Sequence, residues 1–530
     1  MSNDLDNTAT SIAPKKGPPP APVFDARLAV GLLGVLLAAM MAGFTGRVPS
    51  LGEADTLGAL GFSHDQGTWL ETWFVAGELI AMPFACWCAI TFSLRRFHVI
   101  AQLGVLVVAG VLPYVKDAEL FMTMRFVQGY FAGSLIPLLM MSALRFLPPP
   151  IRLHGLALYA MTATLAPNVA VWMTAIFIDQ WRDWRWLYWH VIPIGAFAIA
   201  LVYYGIPKMP LVLPRLKQAN YLGLICAVPG FIGVTIVLTQ GLHLDWLNSH
   251  FLIAVLIMGA GFSVLFLWSE WYHPTPFMKL QMLSRRNLGL GFTLFFILLI
   301  VLSSGVVMPL QLLAKMQGFR MTEMAPIALW IGVPQIFLGS VVAFLLYQSW
   351  VDARVMFAIG LTCIGSACWL ASGVTSSWIA EQFIASQILQ AIGQPMAVVC
   401  MLFLGTSVVQ PMEGPFVAGI INTLRVFGTL TSGALLGQVM AWRNQFHFEG
   451  LVTQWNSVES SFTATHSTNE WLGFLVQQSQ VLASEDTFLI LGSTAFLMVP
   501  FVMCLQFIPA PKIPRSIEPA TNHSAPAPTN

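Results

Sequence analysis

Two carboxylates interrupt an otherwise apolar run, Trp69-Leu-Glu71-Thr-Trp73-Phe-Val-Ala-Gly-Glu78. Seven residues is close to two turns of helix, so Glu71 and Glu78 share a face, with Glu78 about 10 Å deeper. A carboxyl group withdrawn from water holds its proton more tightly, which suits it to carry protons. The alternatives are a solvated helix end for Glu71 and an interhelical hydrogen bond for Glu78. Arg125 stands in a second apolar run, Met124-Arg125-Phe-Val-Gln128-Gly129-Tyr-Phe-Ala-Gly133, with Pro137 further on. A guanidinium keeps its charge, so a buried one needs a carboxylate, carbonyls or an anionic ligand. Arg425 lies in a third run with Asn422, and Arg47 follows the first apolar run. Both are candidates for lining a cavity together with Trp73, and snorkelling to an interface is the alternative for each arginine. Gly129 and Gly133, four residues apart, allow two helices to approach closely.

The elements that must position these groups follow from composition. Of 530 residues, 57% are hydrophobic and 9% charged, with a net charge of +1. A soluble domain carries about 25% charged residues, so this chain needs a bilayer as solvent. The absence of a basic stripe argues against nucleic-acid binding. Fourteen apolar segments can be counted, near 28–46, 67–91, 97–115, 119–145, 154–178, 186–206, 220–240, 250–270, 288–312, 324–346, 352–373, 379–405, 415–440 and 486–508. An even count returns both termini to one side. On that side lie 16 Lys and Arg, on the other 7, and Arg125 and Arg425 fall inside spans. The positive-inside rule then makes both termini cytoplasmic.

The expected fold is an all-α membrane protein with 14 transmembrane helices in a 6 + 2 + 6 order. Its parts are a cytoplasmic tail 1–27, a six-helix bundle 28–206, linkers with two extra helices 207–287, a second six-helix bundle 288–508 containing an outer loop 441–485, and a tail 509–530. The tails are rich in Pro, Ala, Thr and Asn and read as disordered, and the first apolar run reads as a span, not a signal peptide. Pro137, Pro167, Pro193 and Pro229 suggest kinks. Trp69, Trp73, Trp181, Trp184, Trp186 and Trp189 cluster near span ends, as an interfacial belt does. The 7 cysteines lie in apolar runs and read as buried thiols. No metal-ligand spacing, Walker loop or nucleophile elbow is visible, so neither a cofactor nor ATP is implied. An ion gradient is the remaining energy source.

Several motifs resemble the fourteen-helix drug:proton antiporters of the major facilitator superfamily (EmrB/QacA type, EmrB branch). They are Gln66-Gly67-Thr68-Trp69 with Pro83, and Arg125-Phe-Val-Gln128-Gly129 with Gly133 and Pro137. Trp184-Arg185-Trp186 with Pro193 and Gly195, Asp352-Ala-Arg354, Asn422-x-x-Arg425 and Arg443-x-x-x-His447 are similar too. The likeness spans about 28–508. It implies an inner-membrane secondary transporter, not an enzyme, exporting lipophilic compounds against protons. It also implies a periplasmic membrane-fusion adaptor and an outer-membrane channel as partners. Arg125 and Gln128 would belong to its coupling site, with Glu78 and Glu71 as acids. Asp352, Arg354, Gly129, Gly133 and Pro137 would serve gating and structure.

Three departures stand out. Thr45 occupies the place of the family's usual first-helix Asp, the loop motif after helix two is degraded to Cys86–Arg96, and the helix-five motif reads Ala166-Pro167-Asn168. The proton acid then moves to Glu78. Three membrane-proximal arginines against two carboxylates favour an aromatic or otherwise lipophilic anion as substrate. The competing functions are proton-coupled uptake of an organic acid and, from another class, a membrane-embedded enzyme or a sensor.

Overall fold

The computed structural model describes residues 24–410, 412–462 and 468–511. The expected tails lie outside the described residues for 1–23 and 512–530. The first helix begins inside the expected tail because Asp25 caps it, its carboxylate accepting from Leu28 N at 2.8 Å.

Before residue 206 the chain forms α1 (Ala26–Leu51), α2 (Glu53–Leu60), α3 (His64–Phe92), α4 (Leu94–Val111), α5 (Ala118–Phe146), α6 (Pro149–Ala175), α7 (Trp186–Trp189) and α8 (Val191–Gly205). Two further helices follow, α9 (Tyr221–Gln240) and α10 (His250–Tyr272). The remainder is α11 (Arg286–Leu302), α12 (Val307–Gln317), α13 (Met321–Leu345), α14 (Ala353–Ala371), α15 (Ile384–Thr406), α16 (Gly414–Phe462) and α17 (Thr468–Met503).

Among the described residues, thirteen helical stretches are long and apolar enough to cross a membrane. The expected thirteenth span, 415–440, lies in α16, a 49-residue helix that is long enough but more polar. Asn422, Arg425, Thr429, Thr431 and Ser432 dilute its apolarity, and it packs on α3, α5 and α11 inside the bundle. The connection 441–485 was expected as a loop. It is instead helical on both flanks, with α16 running on to Phe462 and α17 starting at Thr468. No Gly or Pro in 441–449 halts the helix, and ion pairs at its base hold it. Arg443 Nε lies 2.6 Å from Asp486 Oδ2, and His447 reaches the same oxygen.

Of the proline positions expected to kink spans, Pro137, Pro167 and Pro229 lie inside helices. Pro193 stands in the first turn of α8, where its missing N–H has no helical partner to lose. Two irregularities have positional meaning. The ninth span breaks between α11 and α12 at residues 303–306, and α6 ends in a π-helical turn, Ile176–Gln180. π-turns of this kind are frequent at functional sites.

The core is one continuous apolar cluster, from which α9 and α10 hold a small one of their own. These two helices lean on each other, and α9 also lies against α3, where Gln240 Nε2 donates to Thr72 Oγ1 at 2.7 Å. The connection after α10 is fixed by the buried Glu270, which accepts from Asn220 Nδ2 and Met278 N, each at 2.7 Å.

Candidate functional site

The site begins at the contact of α3 with α5. A Cβ at Gly129 would lie 2.0 Å from the Phe74 carbonyl oxygen, one at Gly133 2.5 Å from that of Glu78, and one at Gly77 2.1 Å from that of Phe126. Three missing side chains therefore let the backbones touch. This close approach sets the α3 carboxylates beside the α5 guanidinium.

Arg125 is 2% exposed. Its Nη1 donates to Gln128 Oε1 at 2.7 Å and to the Thr45 carbonyl at 3.1 Å. Nη2 lies 3.9 Å from Glu71 Oε2, and the guanidinium stands over the Phe74 ring at 4.2 Å. The Thr45 backbone on α1 thus takes up part of a charge that a carboxylate would otherwise meet at this position. Glu71 is an ion-pair partner of Arg125, not simply a solvated helix end. Glu78, half-buried, lies within the fields of Arg425, Arg47 and Arg125. Arg47, also half-buried, is acted on by Arg425, Glu78 and Glu71. The five ionisable groups singled out in the sequence therefore form one electrostatic unit.

Trp73 does not join it. At 100° per residue it points about 200° from Glu71 around α3, and it packs on Trp69 and Phe126.

Arg425 and Asn422 reach across to the first six spans. Arg425 Nη1 donates to Thr162 Oγ1 at 2.7 Å, and Nη2 donates to the Thr162 carbonyl. The Tyr159 hydroxyl donates to Asn422 Oδ1 at 2.9 Å. Both are buried, so Arg425 does not snorkel. Tyr159 and Thr162 went unnoticed in the sequence because hydroxyls are ordinary in a span. Glu53 was missed as well. It lies on α2 beyond the span end, yet its charge acts on both Arg125 and Glu71. Burial raises the Glu53 carboxyl above its ordinary range, against the opposing charges of His64 and Arg125.

The remaining expected residues hold the ends of the bundle. Asp352 caps α14 and pairs with Arg354 at 2.8 Å, while Arg354 Nη1 donates to the Leu505 carbonyl at 3.3 Å. Burial pushes the Asp352 carboxyl up, but the hydrogen bonds and charge of Arg354 outweigh it and hold it below its ordinary value. Pro137 is buried inside α5, and its carbonyl accepts from Cys86 Sγ at 3.7 Å.

Two latches were not foreseen. At the far end of α6, Asp179 accepts from Thr322 N at 2.9 Å and pairs with Arg320 at 2.9 Å, which ties the π-turn to the start of α13. At the other end of the same helix pair, the Tyr347 hydroxyl donates to the Pro149 carbonyl at 3.2 Å and accepts from Leu153 N at 3.1 Å.

Helices far apart in the chain thus meet through buried polar groups, α6 with α16 at Tyr159–Asn422 and Thr162–Arg425, and α6 packs along α13. The family model described as Major Facilitator Superfamily matches residues 26–329, more than half of the chain. The chain belongs to the Major Facilitator Superfamily. As a superfamily member it is a transporter of small solutes across a membrane, not an enzyme. It is similar to the multidrug export protein EmrB of Escherichia coli (strain K12), with 23% identity over 468 residues, 86% of this chain and 89% of that protein. It is also similar to the fatty acid resistance protein FarB of Neisseria gonorrhoeae, with 24% identity over 506 residues, 91% of this chain and 96% of that protein. Among solved structures, the human organic anion transporter MFSD10 shares the fold with a TM-score of 0.53 at 14% identity, covering 88% of this chain and 99% of that one. The proton:xylose symporter XylE does so with a TM-score of 0.54 at 13% identity, covering 91% of this chain and 96% of that one.

Proposed function

We propose that this superfamily member exports lipophilic or aromatic anions across the inner membrane in exchange for protons, with both termini cytoplasmic. The observation that carries the reading is the unit of Glu71, Glu78, Arg47, Arg125 and Arg425 at membrane depth. Ionisable groups are retained there at considerable cost and mark ion and substrate pathways. Two carboxylates can gain and lose protons, whereas three guanidiniums cannot. Around Glu78 the charges that act are those of Arg425, Arg47 and Arg125, with Glu53 further out on α2, so an anionic cargo is attracted there and a cationic one repelled. The names of the relatives agree, since export is ascribed to EmrB and fatty acids to FarB.

In the cycle proposed, Glu78 takes a proton from the outer side in the emptied transporter, with Glu53 and Glu71 lying on the way. Losing it inward restores the negative charge that balances Arg47 and Arg425. The anion loads in this deprotonated state, drawn by the guanidiniums of Arg47, Arg125 and Arg425, and leaves on the outer side before Glu78 takes the next proton. Arg125, held by Gln128 and the Thr45 carbonyl, keeps Glu71 oriented throughout. The test is Glu78→Gln in inverted membrane vesicles energised by a pH gradient, with an aromatic acid as cargo. Loss of gradient-driven accumulation is expected, with exchange of labelled for unlabelled cargo retained. Proton-driven accumulation with an unchanged pH profile refutes the assignment of Glu78.

The extensions of α16 and α17 past the apolar region supply a surface for a periplasmic adaptor leading to an outer-membrane channel. Replacing residues 455–470 with a short Gly-Ser linker should abolish export from intact cells while leaving vesicle transport intact. Unaltered export from cells would count against docking there.

A further inference from the structure

A ladder of uncharged side chains lies apart from the charged unit. It starts at the break between α11 and α12, where the Ser304 hydroxyl donates to the Val301 carbonyl at 2.7 Å. With its proton committed, Ser304 Oγ accepts from Gln390 Nε2 at 2.9 Å. That sets the sense of every later bond. Gln390 Oε1 accepts from Gln394 Nε2 at 3.1 Å, and Gln394 Oε1 accepts from Gln335 Nε2 at 2.8 Å. The ladder must end on an acceptor, Gln335 Oε1, which is buried and has no partner among the described residues. Asn168 on α6 ends the same way: its Nδ2 donates to the Thr164 carbonyl at 2.6 Å, and its buried Oδ1 has no partner there. Gln335 is 1% exposed and Asn168 2%. The two are neighbours across the α6–α13 seam, because a Cβ at Gly332, one turn before Gln335, would lie 3.0 Å from Asn168 Cβ.

Two buried acceptors, one on α6 and one on α13, have no donor among the described residues. A hydrogen-bonded chain polarises its members, so the terminal oxygen is a stronger acceptor than a lone amide. A discontinuous helix at mid-membrane is a frequent companion of a transporter's binding site. We infer that Gln335 and Asn168 form a neutral subsite that accepts a hydroxyl or N–H donor carried by the transported anion, apart from its charged group. The inference rests on the anion reading proposed above. A cargo bound in this way bridges α6 and α13, between the two latches that fasten this pair.

The test is equilibrium binding to the purified full-length protein in lipid nanodiscs, read by tryptophan fluorescence. The probes are meta- and para-hydroxybenzoate against the matching methylbenzoates, which have the same charge and nearly the same shape. A site built to hydrogen-bond a hydroxyl discriminates against the analogue lacking it. At least one hydroxylated acid should bind about tenfold tighter than its methyl counterpart. Gln335→Met and Asn168→Leu should each bring that ratio toward one without weakening the methylbenzoates. If a variant no longer binds the methylbenzoates, the wild-type ratio alone decides. Equal affinities for both members of each pair, or a ratio kept in both variants, overturn the subsite and leave the anion reading standing. A protein that binds none of these acids overturns both.

Discussion

Replacing Gly129 by alanine tests whether the close approach of α3 and α5 is what builds the charged unit. The new Cβ would fall 2.0 Å from the Phe74 carbonyl oxygen, and the obstacle is backbone that cannot rotate away. Restoring an ordinary contact of about 3.4 Å requires the helices to part by roughly 1.4 Å. Arg125 and Glu71, now 3.9 Å apart, would then separate beyond ion-pair range. Overpacking of this kind costs about 1–3 kcal/mol, and the better helix propensity of Ala returns up to about 1 kcal/mol. The net loss should be about 1 kcal/mol, visible as a lower unfolding temperature of the purified protein. Transport should fall more than stability alone accounts for, by about 10²-fold, since a displacement near 1 Å at a working site costs that much. Gly261→Ala on α10 is the matched control, because a Cβ there meets nothing within 4 Å. It should be neutral or slightly stabilising. Wild-type transport and unfolding temperature in Gly129→Ala would refute the reasoning.

Two more outcomes follow from residues outside the charged unit. Glu413 accepts from Arg285 at 2.7 and 2.9 Å and from Lys279 at 3.3 Å, and the hydrogen bonds of Arg285 hold its carboxyl below the ordinary value of 4.5. Its contribution is therefore complete above that value and disappears as pH falls through the lowered one. Unfolding temperatures followed from about pH 7 to about pH 3 should converge for wild type and Glu413→Gln at the acid end, and a constant gap would contradict the pairing. Tyr159→Phe removes the donor to Asn422 Oδ1, a buried acceptor, at a cost of about 1–3 kcal/mol to the arrangement in which α6 meets α16. Spin labels on these two helices should report a broadened distance distribution, and a distribution identical to wild type would deny that the bond holds them.

Much of the local structure was legible in the chain. An acid or guanidinium amid apolar neighbours is conspicuous without any knowledge of the fold, which is why Glu71, Glu78, Arg125 and Arg425 stood out. Helical periodicity placed Glu71 and Glu78 on one face, and the four-residue spacing of Gly129 and Gly133 announced a close contact. The first twelve spans lie close to the expected limits because the bilayer demands a fixed apolar length, whereas the last begins at Trp471, well before the expected 486. The polar α16 shows where that signal weakens, since a helix shielded by neighbours needs no apolar surface all round.

What only the tertiary structure decided was pairing. Arg425 meets Thr162, 263 positions away, and Asp179 meets Thr322, 143 away. No local rule connects residues so distant. The Gln335–Gln394–Gln390 ladder was hidden for a related reason. Glutamines are unremarkable singly in a sequence, and their meaning comes from a direction of hydrogen bonding that exists only once Ser304 has spent its proton on Val301. Composition and periodicity thus determined that this chain lies in a membrane and which groups are costly to keep there. The packing of α3 on α5 and of α6 on α13 decided which of those groups face one another, because side-chain chemistry at a distance depends on helix contacts that sequence spacing does not encode.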